Sequence, residues 1–304
     1  MQVLLIGPAF LDVIAAPVSR LPQPGEELPL SEIALAPGGF AIAAVALRRL
    51  GITAGLAAPI GDDGPGKYLR LALSMEGVPL EGAGAGRTPT TIALNTGGDR
   101  AFLTAGFPQD PALREVGLAA LRRHPECRMV HLSCRGPFAE DVARAAKAEG
   151  RYVSVDCGTD PPWLRSEGMR RVLQLADLYL PNAREAAYVT GEEDPRSALG
   201  ALLGLVPQAI VKLGAQGVLL GNTHGISHHP TTPREALDAT GAGDVFDAGY
   251  IAGGLNGFDD AAAIRLGQYA AGCAIAGLGG ASTAPYLAQA RSALGDLPWP
   301  RAGS

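Results

Sequence analysis

Asp244 directly follows Gly241, Ala242 and Gly243 in the stretch LDATGAGDVFDAG, and an apolar, helix-like run comes after it. Small residues let a ligand approach the backbone closely, and the start of a helix offers N–H groups that carry a partial positive charge. The combination suits an anion, held by the N–H groups of Ala242, Gly243 and Asp244. An acidic side chain beside a bound anion is out of place unless it acts on that anion. The same residues also read as a tight loop whose Asp244 caps a helix, and on this stretch alone both readings stand.

Other candidates are weaker. GDDGPGKY, residues 61–68, has the spacing of a P-loop, but Tyr68 stands where a small hydroxyl should meet Mg2+, and Asp62 and Asp63 would repel a triphosphate; the stretch reads as a turn with an exposed lysine. His224, His228 and His229 cluster without nearby Cys, Asp or Glu partners, which favours a solvated hairpin over a metal site. Cys127, Cys134, Cys157 and Cys273 lack zinc or redox spacing and read as buried free thiols.

The elements that must position Asp244 alternate between strand and helix. Strands are expected at residues 3–7, 54–60, 129–132, 152–156, 178–180 and 209–213, and helices at 39–50, 65–75 and 139–148, each closed by a glycine. This rhythm predicts an α/β fold: a doubly wound, mainly parallel sheet with helices on both faces. Residues 14–35 and 86–105 break the rhythm with strand-like polar alternation and suit a small β-sheet lid. In such a sheet, ligands sit at the carboxyl ends of the strands.

Composition agrees with one domain spanning 1–304. The 304 residues are 47% hydrophobic, and 41 Gly and 24 Pro are spread along the chain rather than clustered. A net charge of −5 without a basic run argues against nucleic acid or an acidic membrane as partner. The start, MQVLLIGPAF, reads as a buried strand rather than a leader, and no apolar window is long enough for a membrane span. A soluble, cytoplasmic protein with a small-molecule partner is expected.

The chain resembles the ribokinase-like, or PfkB, family of carbohydrate and nucleoside kinases. DATGAGDVFDAG is similar to its carboxyl-terminal signature and APGGFAIAAVALRRLG to its Gly-Gly signature, while PIGDDGPGKYL, LPNAREA and VKLGAQGVLL follow in family order. The resemblance implies transfer of the ATP γ-phosphoryl group to an alcohol, with Asp244 as base and the backbone of Gly241, Ala242 and Gly243 holding the charge that develops. It implies that Asn182 and Glu185 organise Mg2+ and phosphates through water, and that Lys212, Gly214 and Gly217 line the triphosphate side. Gln268, on a helix expected over 261–277, falls near the adenine edge.

For the acceptor, the resemblance implies that Asp12, just after the first strand, and Gly38 and Gly39 grip sugar hydroxyls. Ala43 stands where the family often carries Asn, which removes one polar contact and leaves the substrate open. Asp238 and Thr240, with Gly279 and Thr283 in the segment 277–283, resemble a potassium site. A homodimer through the lid is a further expectation. A nucleoside kinase and a non-catalytic binding protein of the same fold remain alternatives. Arg100, in the lid, and Arg135, after the strand 129–132, could both aim guanidinium groups at the cleft and favour an anionic sugar; solvated arginines paired with carboxylates are the plainer reading.

Overall fold

The computed structural model describes residues 1–84, 87–95 and 100–300. The strands are β1 (Val3–Ile6), β2 (Ala9–Ala16), β3 (Glu32–Gly39), β4 (Ala54–Ile60), β5 (Leu80–Ala83), β6 (Thr90–Asn95), β7 (Arg100–Ala105), β8 (Met129–Ser133), β9 (Tyr152–Asp156), β10 (Leu178–Tyr179), β11 (Gln208–Lys212), β12 (Val218–Asn222) and β13 (Gly225–His229). Nine form a sheet in the order β13-β12-β11-β10-β9-β8-β1-β4-β5. Pairing is parallel from β5 to β11 and antiparallel only where the hairpin strands β12 and β13 extend it.

Helices cover both faces, which is why β1 is apolar at every position: Val3 and Leu5 enter one core cluster, Leu4 and Ile6 the other, and all four are buried. One cluster packs the helices Phe40–Arg49, Ala242–Leu255 and Asp260–Ala274 on the sheet. The other packs helices that include Asp110–Arg123, Phe138–Ala148 and Ala183–Thr190.

A separate four-stranded sheet has the order β3-β2-β6-β7. It uses segments displaced from the expected 14–35: β2 starts at Ala9 and β3 runs to Gly39, while most of 17–31 is irregular. Gly7-Pro8 ends the first strand, and AFLDVIAA, as β2, turns into the small sheet. Asp12 therefore lies inside a strand of the small sheet rather than just past β1. Residues 86 and 96–99 of the expected segment 86–105 lie outside the described residues.

The hairpin expected around the histidines is β12–β13, with His228 and His229 on the outermost strand of the large sheet. Cys127, Cys134 and Cys157 are buried free thiols, and Cys273 is half-buried. No described helix is long and apolar enough to cross a membrane.

Candidate active site

The parallel strands bring their carboxyl ends to one edge. Ser133, ending β8, pairs with Asp156, ending β9, and an isolated bridge joins Asn182, beyond β10, to Lys212, ending β11. Arg135, Asp156, Asn182 and Lys212 thus share the edge that an open parallel sheet uses for ligands.

The helix Ala242–Leu255 starts there. Gly241 has a φ of 71°, a left-handed conformation that glycine adopts without strain, and no side chain caps the helix. Of the three amides expected to face an anion, that of Ala242 donates to the Ala239 carbonyl at 3.4 Å. The amides of Gly243 and Asp244 remain in the first turn, where a helix supplies no carbonyl for them. Asp244 is half-buried, and its carboxyl is pushed up to about 7 by desolvation and by nearby Asp156, against the opposing effect of Lys212.

Lys212 lies beneath the loop. Its Nζ donates to the two carboxylate oxygens of Asp247 at 2.9 and 3.0 Å and to Asp156 at 3.4 Å, and a Cβ on Gly243 would sit 3.4 Å from it. Burial opposes the charge of Lys212, but Asp156 and Asp247 outweigh it and hold the ammonium above the usual lysine range. Burial alone would push Asp247 towards its protonated form; the two-pronged contact opposes this, and the geometry is that of an ion pair.

Asn182 and Glu185 form a capping box: Asn182 Oδ1 accepts from the Glu185 amide and Glu185 Oε2 from the Asn182 amide, both at 2.9 Å. Glu185 is buried rather than solvated, and burial and Asp156 push it up to about 7. Four carboxylates, Asp156, Glu185, Asp244 and Asp247, therefore crowd one ammonium, Lys212. This excess of hard oxygen donors fits a divalent cation. Among the described residues, no group of three or more His, Cys, Asp or Glu is arranged to hold a metal ion by itself.

Beside the loop is a cavity of about 670 Å³ lined by Lys212, Gly214, Gly217, Ala242, Gly243 and Gln268, among others. Gln268 lies on its wall, but its amide nitrogen donates to the carbonyls of His229 (2.9 Å) and Pro230 (3.3 Å), bracing the end of β13.

Asp12, which also raises the Asp244 carboxyl, is buried and pushed up to about 7 by desolvation and by Asp238. Gly38 passes so close that a Cβ there would fall 2.2–2.4 Å from the Asp12 carboxyl, so any larger residue would displace that carboxyl. Gly39 follows at the start of the helix Phe40–Arg49. Ala43 is buried in the core of that helix and offers no polar contact.

Asp238, Thr240 and Gly279 come together. Asp238 Oδ1 accepts from the amide and hydroxyl of Thr240 at 2.9 and 2.6 Å, and Oδ2 accepts from the Gly279 amide at 3.1 Å. The Thr283 hydroxyl instead donates to the carbonyls of Cys273 (2.8 Å) and Ala274 (3.0 Å) at the end of a helix. Arg100 opens β7 opposite Asn95, and its side chain lies outside the described residues. Arg135 stacks on Phe107.

Sequence reasoning missed Asp156 and Asp247, though both left signals. Asp156 closes a buried strand at its carboxyl end, and Asp247 is an acid on an apolar helix that can be buried only with a cation. Thr91, opposite Asp12 across the strand pair and 3.0 Å from the Thr104 hydroxyl, was also missed.

Residues 2–286 match the model of the pfkB family carbohydrate kinases. The chain is 33% identical over 284 residues to an ATP-dependent ribose-1-phosphate kinase of Halopiger xanaduensis, covering 88% of this chain and 90% of that one. It is 30% identical over 275 residues to a fructokinase of Klebsiella pneumoniae, covering 83% and 84%. Its fold matches a ribokinase-like chain from E. coli, solved in complex with ATP and Mg2+, at a TM-score of 0.81 and 23% identity over 96% of this chain and 98% of that one.

Proposed function

The chain belongs to the PfkB family of carbohydrate kinases and is a phosphotransferase with a hydroxyl acceptor, and from that premise we propose that it transfers the γ-phosphoryl group of ATP to a hydroxyl of a sugar or sugar derivative, with Asp244 as the base. The observation that carries this reading is the position of Asp244: in the uncapped first turn of a helix, directly after Ala242 and Gly243, which line the 670 Å³ cavity, and close enough to the buried Asp12 for that carboxyl to raise its pKa.

The cavity would take the nucleotide, with Lys212, Gly214 and Gly217 on one wall and Gln268 on another. The acceptor would lie over Gly38 and Gly39, giving hydroxyl hydrogen bonds to Asp12. Asp244 would receive the proton of the attacking hydroxyl, while the Gly241–Asp244 backbone faces the charge that develops on the transferring group. Asn182, Glu185 and Asp156 would hold Mg2+ through water, and the ion, when bound, neutralises phosphate charge.

The small sheet would serve as a lid, since its β2 carries Asp12. Its outward face supports a homodimer: Leu35, Val13, Ile92 and Leu103 form one row across all four strands, and Leu35, Ile92 and Leu103 are 48%, 42% and 63% exposed. Asp238, Thr240 and Gly279 would brace the anion loop around a potassium ion, with Thr283 contributing backbone alone. A cytoplasmic location agrees with this chemistry, because ATP is plentiful there.

The test is acceptor-dependent formation of ADP and of a phosphorylated product across neutral sugars, anionic sugars and nucleosides. Transfer to nucleosides alone would favour a nucleoside kinase. Binding without transfer to any acceptor would leave a non-catalytic protein of the same fold.

A further inference from the structure

A second cation stands at the carboxyl edge of the sheet, and the transfer step described above does not use it. The guanidinium carbon of Arg135 lies over the Phe107 ring, 4.2 Å from its centroid, and the side chain is 37% exposed. Its nearest carboxylate, Asp160 Oδ2, is 4.0 Å from Nε, beyond hydrogen-bonding distance. Among the described residues Arg135 makes no hydrogen bond through its side chain. By contrast, Arg49, Arg144, Arg171 and Arg265 reach carboxylates at 2.6–2.9 Å. Arg135 is thus held by stacking while its in-plane N–H groups are unspent. The backbone before it is pinned, because the Trp163 indole N–H donates to the Cys134 carbonyl.

The stack joins Arg135 to the acceptor side of the cleft. Phe107 contacts Phe10 with ring centroids 5.6 Å apart, and Phe10 is two residues before Asp12 on β2, so both side chains leave the same face of that strand. Arg135, Phe107 and Phe10 therefore form a run of ring contacts that ends on the face of β2 that carries Asp12. Asp12 stands at one end, suited to accept from hydroxyls; Arg135 stands at the other, suited to donate to an oxyanion through two parallel N–H groups.

We propose that Arg135, stacked on Phe107, is an oxyanion subsite, and that the acceptor is an anionic sugar, a phosphate ester or a sugar acid, in preference to a neutral one. The proposal rests on the kinase reading. Asp12 and Asp244 would repel such an acceptor unless a cation received its charged end. Lys212 is already engaged by Asp247, and of the described side chains at this edge Arg135 is the cation suited to that task. The Halopiger xanaduensis relative is named for an acceptor of this kind, ribose 1-phosphate.

The test is calorimetric binding to the intact protein without ATP, using ribose, its phosphate esters, a hexonic acid and inorganic phosphate as probes. The wild type should bind at least one anionic sugar roughly tenfold or more tightly than ribose, and Arg135→Gln should lose that preference while binding ribose and ATP unchanged. Arg135→Lys should recover only part of it, since an ammonium keeps the charge but not the planar contact. The phosphate and acid arms separate the two sources of the anion. Equal binding of ribose and all its anionic counterparts, or equal losses for both in Arg135→Gln, would overturn the subsite. Binding is read apart from turnover, so a failure of phosphoryl transfer would count against the kinase reading and leave the Arg135 result standing.

Discussion

Lys212 Nζ bridges to both carboxylate oxygens of Asp247, at 2.9 and 3.0 Å, and Asp247 lies one helical turn after Asp244 on the same helix. The last strand of the parallel run is thereby tied to the helix that carries the proposed base. Asp247 is fully buried, so the pair cannot be opened without leaving a charge in the core. Lys212→Met should destabilise the fold by about 3–5 kcal/mol, because Asp247 and Asp156 lose their cation. Lys212→Met combined with Asp247→Asn should recover much of that loss in a denaturant-based double-mutant cycle. Additive losses would mean that the two residues do not act as a pair.

The pH dependence follows from three carboxyl groups, Asp12, Glu185 and Asp244, each raised to about 7. A base must be ionised, so kcat/KM should rise with pH towards a plateau above about 7. Stability should move in the opposite direction. A carboxyl with a raised folded-state pKa stabilises the fold fully below its unfolded value, and that contribution is lost as pH rises through the folded one. Tm should therefore fall between about pH 4 and pH 8 on account of these groups. A profile of kcat/KM that is flat from pH 5 to pH 9 would contradict the assignment of Asp244.

The potassium proposal is read in salts of equal ionic strength. Turnover should be higher in potassium chloride than in choline chloride, because an ion beside Asp238 would offset its charge next to Asp12. Identical rates in potassium, sodium and choline would remove the ion.

The apolar row on the small sheet gives a test of assembly. Sedimentation should find a dimer for the wild type and a monomer for Ile92→Lys, which puts a charge into that row. A monomeric wild type would contradict the dimer.

Much of this arrangement was legible in the sequence, for reasons that differ between residues. The core strands read correctly because each is apolar on both faces, as residues 54–60 are, and their helices close on glycines. The start of the helix Ala242–Leu255 was legible because small residues ahead of an apolar run are a local pattern, although the helix takes in Ala242 and Gly243 and only Gly241 precedes it. The position of Asp12 was not, because the small sheet was expected to begin only at residue 14, and nothing local in AFLDVIAA says which of the two sheets it joins. The contacts of Arg135 with Phe107 and of Lys212 with Asp247 were illegible in principle. They join residues 28 and 35 positions apart in the chain whose meeting depends on how the sheet is ordered. Glu185 shows the converse: its capping box is local, but its burial beside Asp156 is set by packing.

The central claim is that Asp244 takes the proton from the acceptor hydroxyl. Its most direct test is the rate of γ-phosphoryl transfer by Asp244→Asn, measured beside ATP affinity and thermal stability at pH 8. Asparagine keeps the shape but cannot accept the proton, so kcat should fall by roughly a hundredfold or more while ATP affinity stays near that of the wild type. Removing a carboxyl that the fold holds in a desolvated site should also raise Tm at that pH, by about 1–2 °C for each kcal/mol relieved in a chain of this length. Near-wild-type turnover in a folded, ATP-binding Asp244→Asn protein would contradict the account.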